Sequence, residues 1–468
     1  MSPRPGGNPS PAPVAIVGGG FTGAMLAVHL SRMSADPPPI TLFEPRPRLG
    51  AGVAYSSTDP DHRFNGPIDL VSVLPDRPGD FERWYAHHAE PDPDAMATTG
   101  QLYVRRSSFA RYMDALVREH VPTLTHVRAR ATGVRDGAVI DETGTVHAAR
   151  RVYLCTALDP PRLPAPFDEI DDPRVIADPW APGALDALKE ARRVLILDTA
   201  LTAADIAATV LREAPMAHIT AMSRRGLSPL PQDVLPSAAE RLAKARAPST
   251  PFLDQRGPLT RAVELLPAAR AHVAQAMAGN MRWQDAFDEV RDGVIRLWPD
   301  LEAAEKRKAL RHLRPYYDVH RYRMAPQLDA RLREARARGR FTRRRARATA
   351  VMRSADALHV TLAMREGAAT CPFDLVINCT GPRDDVRHTA NRLIAGLIEE
   401  GRARPHPSGL GLDVAPDYRV RDAHGRAQSN LCALGALTRG HFGDVSAIPL
   451  INMQILDHLD RLTRQTET

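Results

Sequence analysis

Near its N-terminus the chain reads Pro13-Val14-Ala15-Ile16-Val17-Gly18-Gly19-Gly20-Phe21-Thr22-Gly23, and this stretch decides the fold. The apolar residues favour a short strand, and the glycines that follow have the G-x-G-x-x-G spacing. Gly18 permits a tight bend, Gly20 lets a pyrophosphate approach the backbone, and Gly23 lets the next helix pack close to the strand. The unpaired N–H groups at the start of that helix favour an anion. The stretch therefore predicts a dinucleotide site.

An acidic residue stands where such a site needs one. Glu44 ends the apolar run Ile40-Thr41-Leu42-Phe43, at 44 − 23 = 21 residues after Gly23. A carboxylate at the tip of the second strand accepts both hydroxyls of an adenosine ribose, which favours FAD or NAD over NADP. Glycine clusters also form ordinary turns, but here strand, glycines, helix and acid follow in the required order.

Composition limits the class of protein. The chain has 468 residues, 43% of them hydrophobic, and a net charge of +7 from 62 basic and 55 acidic side chains. The arginines are scattered rather than gathered with aromatic residues, so we expect no nucleic-acid partner. We also expect no membrane span, no metal site and a cytoplasmic location, with residues 1–13 as a disordered leader. The four cysteines lack C-x-x-C spacing and are expected to be buried thiols, and the histidines His62, His87 and His88 are expected at the surface.

Strand and helix signals alternate along much of the chain. A strand at 14–17, a helix at 23–33 and a strand at 40–44 form one βαβ unit. A second unit is predicted from a strand at 193–197, a helix at 202–212 and a strand at 218–222. Residues 229–340 are rich in Ala, Arg and Leu without a clean strand, and they predict a helical insertion.

Several motifs together resemble those of a bacterial family of FAD/NAD(P)-binding oxidoreductases, similar in layout to the N-hydroxylating and Baeyer–Villiger flavin monooxygenases. The motifs are Val17–Gly23, Pro47–Ser56, Asp178-Pro179-Trp180, Leu313–Pro326, Ile377–Pro382 and Gly435–Gly440. The resemblance covers nearly the whole chain and implies an α/β fold with two dinucleotide-binding (Rossmann-like) domains and a helical insertion. It implies FAD as the cofactor and a small molecule as the substrate, without naming the substrate or the oligomeric state.

The resemblance also divides the chain. Residues 14–160 and 373–468 are assigned to the two parts of an FAD-binding domain, 161–228 with 341–372 to a second Rossmann-like domain, and 229–340 to the insertion. The residues expected to hold FAD are Gly18, Gly20, Phe21, Thr22, Gly23, Glu44, Arg48, Gly52, Asn65 and Asp444. Asp444 follows Gly443 as in the late Gly-Asp of many FAD enzymes, although this family more often has Trp-Glu there.

The second domain departs from the family where NADPH would bind. The family has a Gly-x-Gly-x-x turn, whereas this chain reads Leu197-Asp198-Thr199-Ala200-Leu201. A Cβ at Ala200 blocks the approach of a pyrophosphate, and the Asp198 carboxylate repels it. We therefore expect NADPH to bind weakly or not at all. The alternative is that another loop geometry still binds it, with Arg224 and Arg225 available for a 2′-phosphate.

Three residues are candidates for catalysis. His320 and Arg321 lie in the polar and aromatic run Leu313–Pro326, and we expect them to face a pocket near the flavin. The alternative is a helix at a domain boundary, with Asp318 paired to Arg314 or Arg321. His441 lies in a glycine-flanked turn, where it would either approach the flavin or cap the last helix.

These observations lead to an FAD-dependent oxidoreductase, monooxygenase-like by resemblance. The lost glycines favour oxidase, dehydrogenase or other flavin chemistry without NADPH. A hypothesis of another class is an FAD-binding partner or sensor protein without turnover.

Overall fold

The structure is a computed structural model that describes residues 13–135, 137–237, 240, 250–254 and 259–466. Of the predicted leader, only Pro13 falls among the described residues. Two largely parallel sheets dominate the molecule, each with helices packed on it. The α/β prediction with two Rossmann-like units is therefore confirmed.

The first sheet holds the dinucleotide motif at its centre. Strand Val14–Val17 pairs in parallel with Ile40–Phe43 on one side and Arg151–Leu154 on the other. Ile16 and Leu42 are fully buried in its core. The strand order across the sheet is Arg419–Arg421, Ala427–Ala433, Arg151–Leu154, Val14–Val17, Ile40–Phe43 and Thr125–Val127.

The second sheet repeats the arrangement around Arg193–Leu197. Its order is Phe341–Arg345, His218–Ser223, Arg193–Leu197, Leu375–Asn378 and Val175–Ile176, with every pair parallel. The strand Leu375–Asn378 lies here, so its assignment to the C-terminal part of the first domain is wrong. All four of its residues are buried, and a buried apolar run does not by itself indicate which sheet it joins. The Asp374 carboxylate fixes the strand by accepting the backbone N–H groups of Arg192 and Arg193 at 2.7 and 2.8 Å.

The predicted helical insertion ends earlier than residue 340. Helix Pro326–Ala337 buries Leu328, Leu332 and Ala335 in the core of the second sheet, against helix Leu201–Glu213. It is therefore the crossover helix that leads into strand Phe341–Arg345. The helices before it in the insertion are Pro251–Asp254, Ala262–Ala278, Trp283–Leu297, Ala303–His312 and Arg314–Arg321.

The remaining elements surround these layers. Antiparallel strands form two small sheets, Ala131–Arg135 with Ala138–Asp141 and Val146–Ala148, and Arg347–Arg353 with Leu358–Met364 and Gly367–Phe373. The other α-helices are Phe21–Arg32, Gly52–Tyr55, Asp80–His88, Arg106–His120, Arg392–Glu399, Arg439–Phe442 and Ile448–Thr466. Short 3-10 helices occupy Ile68–Leu70, Phe167–Glu169, Asp186–Glu190, Trp298–Asp300, Val386–His388 and Gly435–Thr438. Within the described part of the chain, no helix is both long and apolar enough to cross a bilayer.

Candidate active site

The first glycine turn has the geometry that its sequence predicts. Gly18 has φ +102°, and a Cβ added to it would fall 2.6 Å from the carbonyl oxygen of Cys155. A Cβ on Gly23 would fall 1.9 Å from the carbonyl oxygen of Gly18. The helix Phe21–Arg32 therefore packs directly against the turn, which only a glycine at position 23 permits.

An open cradle lies above the start of that helix. A Cβ on Gly20 would stand 3.4 Å from the Cα of Gly52, whose own φ is +54°, so two bare backbones face each other here. No side chain caps the helix at Gly20, and the N–H groups of its first turn, which begins with Phe21 and Thr22, have no partner within the helix. Uncapped N–H groups between glycines fit a pyrophosphate. The geometry thus suits the predicted FAD site, although the contacts themselves stay a prediction.

Glu44 lies beside the same turn. Its side chain is buried, and its Oε2 accepts the Gly19 N–H at 3.0 Å while Oε1 accepts the Arg46 N–H at 3.1 Å. A carboxylate accepts about four hydrogen bonds, so two sites remain for ribose hydroxyls. The position at the end of the second strand agrees with the predicted ribose role.

The loop after the second strand forms the other wall of the cradle. The Gly50 N–H donates to the Gly19 carbonyl oxygen at 2.8 Å, which holds the loop against the turn. Arg48 is exposed on this loop and Asn65 is half-buried. The contacts of both residues with FAD stay predictions.

Asp444 is joined to the helical insertion. Its Oδ2 accepts Arg321 Nε at 2.6 Å, and its Oδ1 accepts the hydroxyls of Tyr322 at 3.3 Å and Ser446 at 2.7 Å. Burial raises the pKa of Asp444, but the Arg321 charge and these hydrogen bonds outweigh burial and lower it. Three of about four acceptor positions are therefore taken by protein groups, and the carboxylate fixes the loop before helix Ile448–Thr466.

A cavity of about 520 Å³ lies between the helices of the insertion and residues 410–444. Apolar side chains form most of its wall, and Tyr317, Asp318 and Asp444 line a polar region of it. His320 also lines it, with its ring 5.1 Å from that of Phe287 and 5.6 Å from that of Trp283. The His320 Nδ1–H donates to the Tyr316 carbonyl oxygen at 2.7 Å, so Nε2 is the nitrogen left for a ligand.

Of the three candidates for catalysis only His320 lines the cavity, while Arg321 lies behind its wall and reaches it only through the ion pair with Asp444, and His441 does not reach it. His441 is half-buried, its ring lies 4.6 Å from that of Phe442, and it is not among the residues that line the cavity. Burial lowers the pKa of His441, and the nearby Lys306 charge lowers it further. The predicted pairing of Asp318 with Arg314 is also present, at 3.2 Å, so the segment forms both a domain boundary and a cavity wall.

The turn of the second Rossmann-like unit contains an aspartate in place of the predicted nucleotide-binding glycines. Asp198 adopts φ +109°, at a position where the resemblance predicts glycine, and the nearby backbone N–H groups of Thr199 and Ala200 favour its charged form. Burial is the main reason why the pKa of Asp198 is raised. The Thr199 hydroxyl donates to Ser223 Oγ at 2.8 Å and ties this turn to the next strand.

The two arginines expected near a 2′-phosphate differ in their surroundings. Arg225 stacks on Tyr316, with its guanidinium carbon 4.8 Å from the ring centre, while Arg224 is exposed. Arg225 is therefore used to dock the insertion, and Arg224 alone remains at the surface.

Sequence reasoning missed a buried polar network between the sheets. His62 was expected at the surface but is 3% exposed, because its ring nitrogens bond to Ser57 Oγ at 2.6 Å and Thr209 Oγ1 at 3.0 Å. Asp59 and Arg212 join the network at 2.7 Å. The charged run from residue 59 to 63 was the available signal. Three of the four cysteines, Cys155, Cys379 and Cys432, are buried as expected, but Cys371 is only half-buried, on a strand of a small antiparallel sheet. Among the described residues no group of acids, histidines or cysteines has the geometry of a metal site.

Comparisons with known proteins agree with this architecture. Residues 15–158 match a family model described as FAD-NAD(P)-binding. A nitrosuccinic acid synthase from Aspergillus oryzae is 34% identical over 91 residues, which are 18% of this chain and only 14% of that protein.

Solved structures of similar fold span almost the whole chain. The ornithine hydroxylase of Pseudomonas aeruginosa is 16% identical, covers 96% of this chain and all of its own, and has a TM-score of 0.61. The ornithine N-hydroxylase of Kutzneria sp. 744 is 16% identical, with 97% and 100% coverage and a TM-score of 0.62. The L-lysine 6-monooxygenase of Pseudomonas syringae is 18% identical, with 97% and 99% coverage and a TM-score of 0.63. Residues 15–158 are therefore an FAD-NAD(P)-binding domain, and the chain as a whole has the fold of the N-hydroxylating flavin monooxygenases.

Proposed function

We propose that this protein is an FAD-dependent oxidoreductase of the monooxygenase type that acts on a small molecule. The single observation that carries the proposal is the uncapped start of helix Phe21–Arg32 above the facing glycines Gly20 and Gly52. The Kutzneria relative was solved with reduced FAD, NADP⁺ and L-ornithine, which supports a redox role for this fold.

The chain's own residues supply binding, orientation and exclusion of water. When bound, FAD supplies the electron transfer that no protein side chain provides. The helix start holds the pyrophosphate, and Glu44 binds the ribose. The Arg321–Asp444 ion pair positions the loop before the last helix, and the apolar cavity wall excludes water from the substrate. His320 Nε2 is the nitrogen placed to hold or release a proton at the cavity wall.

The source of electrons divides the proposal into two candidates. A monooxygenase of the usual layout draws them from NADPH, whereas here the Asp198 carboxylate lies beside the two N–H groups that a phosphate would use. This observation favours a second candidate, flavin chemistry driven by a substrate or a separate reductase. The different class, an FAD-binding sensor without turnover, predicts flavin binding but no reduction by either route.

The three buried, unpaired thiols support a reducing compartment, and we place the protein in the cytoplasm. The scattered arginines support the view that the partner is a small molecule and not a nucleic acid.

The test is to purify the full chain and measure bound FAD by visible absorbance and by release on denaturation. NADPH is then added without oxygen, and bleaching of the flavin band is followed. Rapid bleaching by NADPH supports the monooxygenase. No bleaching with NADPH but reduction by a substrate or a separate reductase supports the second candidate, and reduction by dithionite alone supports the sensor. A protein that neither copurifies with FAD nor takes it up would refute the proposal.

A further inference from the structure

The cavity beside the helical insertion has a mostly apolar wall, which a hydrophilic substrate does not require. Leu265, Val273, Val294 and Leu310 line it from three different helices, and Trp298 lines it from the turn between two of them. The volume of about 520 Å³ lies in the range of pockets that enclose drug-sized ligands. Pockets lined mainly by apolar side chains take up apolar molecules.

One polar group in the wall has no partner. The Tyr317 hydroxyl is buried and makes no hydrogen bond, although Tyr317 lines the cavity. Buried hydroxyls almost always make a hydrogen bond, and a buried hydroxyl without one lowers the stability of the fold. The unpaired hydroxyl therefore points to a ligand that supplies the missing hydrogen bond.

The charges at the polar region cancel one another. Arg314 pairs with Asp318 at 3.2 Å and with Asp384 at 2.6 Å, and Arg439 also pairs with Asp384. With the Arg321–Asp444 pair, three arginines face three aspartates, so the formal charge of this network is zero, and Arg270, the other arginine of the cavity lining, is exposed to solvent. A site whose charges are already matched does not select a charged head group.

The cavity is joined to the FAD cradle by a short segment. Gly435 lies against the cradle helix, since a Cβ there would fall 2.7 Å from Thr22 Oγ1. The chain then reaches Asp444, which lines the cavity, after 444 − 435 = 9 residues. The polar region of the cavity is thus the region nearest to the cradle along the chain.

From these observations we infer that the cavity binds a small molecule with an extended apolar body and one uncharged hydrogen-bonding head group, which meets Tyr317. This inference rests on the proposed function, since it names the substrate class of the flavin site. A ligand of this class differs from ornithine and lysine, the amino acids named for the similar structures, which carry charged groups at both ends.

The test uses the flavin-loaded full chain and N-phenyl-1-naphthylamine, an uncharged fluorescent probe, with 1-decanol as competitor. Two variants fill the cavity from different helices, Ala269→Trp and Val294→Trp, and Ala271→Trp places the same side chain on the outer face of the first helix. We expect both filling variants to weaken probe binding at least tenfold and the control to leave it unchanged. Equal binding in all the variants, or equal loss in the control, would overturn the inference.

The head group is tested separately with Tyr317→Phe. A single hydrogen bond is worth about 2- to 12-fold in affinity, so we expect this loss for 1-decanol and no change for 1-chlorodecane, which lacks the hydroxyl. No change for either ligand would refute the role of Tyr317, and this variant decides the question even if the filling variants do not fold.

The visible band of bound FAD reports whether the site serves the flavin. We expect saturating 1-decanol to shift that band in the parent protein. Binding of 1-decanol without any shift would overturn the substrate role. These results are independent of flavin reduction, so a protein that binds the probe but is never reduced contradicts the proposed function and not the cavity.

Discussion

Removing the charge of Asp198 should restore nucleotide binding to the second sheet. A phosphate placed on the N–H groups of Thr199 and Ala200 would stand within about 4 Å of the Asp198 carboxylate, whose charged form these groups favour. At an effective dielectric constant of about 20, two like charges at this distance repel by about 4 kcal/mol, which corresponds to about three orders of magnitude in affinity. Asp198→Asn keeps the shape of the side chain and removes this repulsion. We expect it to tighten NADPH binding by at least tenfold, with a thousandfold as the upper limit.

The measurement is titration calorimetry of NADPH with the parent protein, Asp198→Asn, Asp198→Gly and the exposed control Asp186→Asn. Asp198→Gly also relieves the strain of φ +109° and opens the turn, so it should bind NADPH at least as well as the Asn variant. Low-micromolar binding by the parent protein, or no gain in either Asp198 variant, would refute the reasoning.

The pH dependence of NADPH binding gives an independent check on Asp198. Burial raises the pKa of Asp198 in the folded protein, so the carboxyl gains its proton as the pH falls through that raised value. The repulsion then disappears, and NADPH affinity of the parent protein should rise relative to that of Asp198→Asn. The comparison with the Asn variant removes the contribution from titration of the nucleotide's own phosphates.

Three further outcomes are expected. Gly20→Leu should lose most of its visible flavin absorbance because the side chain enters the cradle, while Gly396→Leu, on a helix with open space around it, should keep it; full occupancy in Gly20→Leu would contradict the placement. Arg321→Met should lower the free energy of unfolding by about 3–5 kcal/mol in urea denaturation, because Asp444 is left buried and uncompensated, and adding Asp444→Leu should recover most of that loss; additive losses would argue against the ion pair. Burial lowers the pKa of His458 to about 4 from 6.5, so the stability that its neutral form contributes above pH 6.5 is lost as the pH falls toward 4, and His458→Phe should make that decline shallower in acid-unfolding curves.

The dinucleotide turn was predictable because close packing of the backbone requires glycine at its key positions. Gly18 and Gly23 are required by contacts of less than 3 Å that a Cβ would make, and such constraints leave a direct trace in the sequence. The buried strands were predictable for a similar reason, since uninterrupted apolar runs lie inside a parallel sheet.

Relations between distant parts of the chain were not predictable in this way. The strand Leu375–Asn378 carries the same apolar signal in either sheet, and only its register beside Arg193–Leu197 places it in the second one. The Arg321–Asp444 pair joins side chains 123 positions apart, which no local pattern indicates. The cavity likewise results from five helices of the insertion and from residues 410–444, which come together only in the folded molecule.

If FAD binds in the cradle and a substrate in the cavity, we expect the segment from Gly435 to Asp444 to link the two binding equilibria. The segment contacts the cradle helix at Thr22 at one end and Arg321 of the insertion at the other, so ordering either end restricts the other. Linkage is reciprocal for equilibrium binding, and any factor by which FAD tightens the cavity ligand is the factor by which that ligand tightens FAD. A cell rich in the substrate would on this basis retain flavin on the protein, and a cell depleted of it would release part of its cofactor.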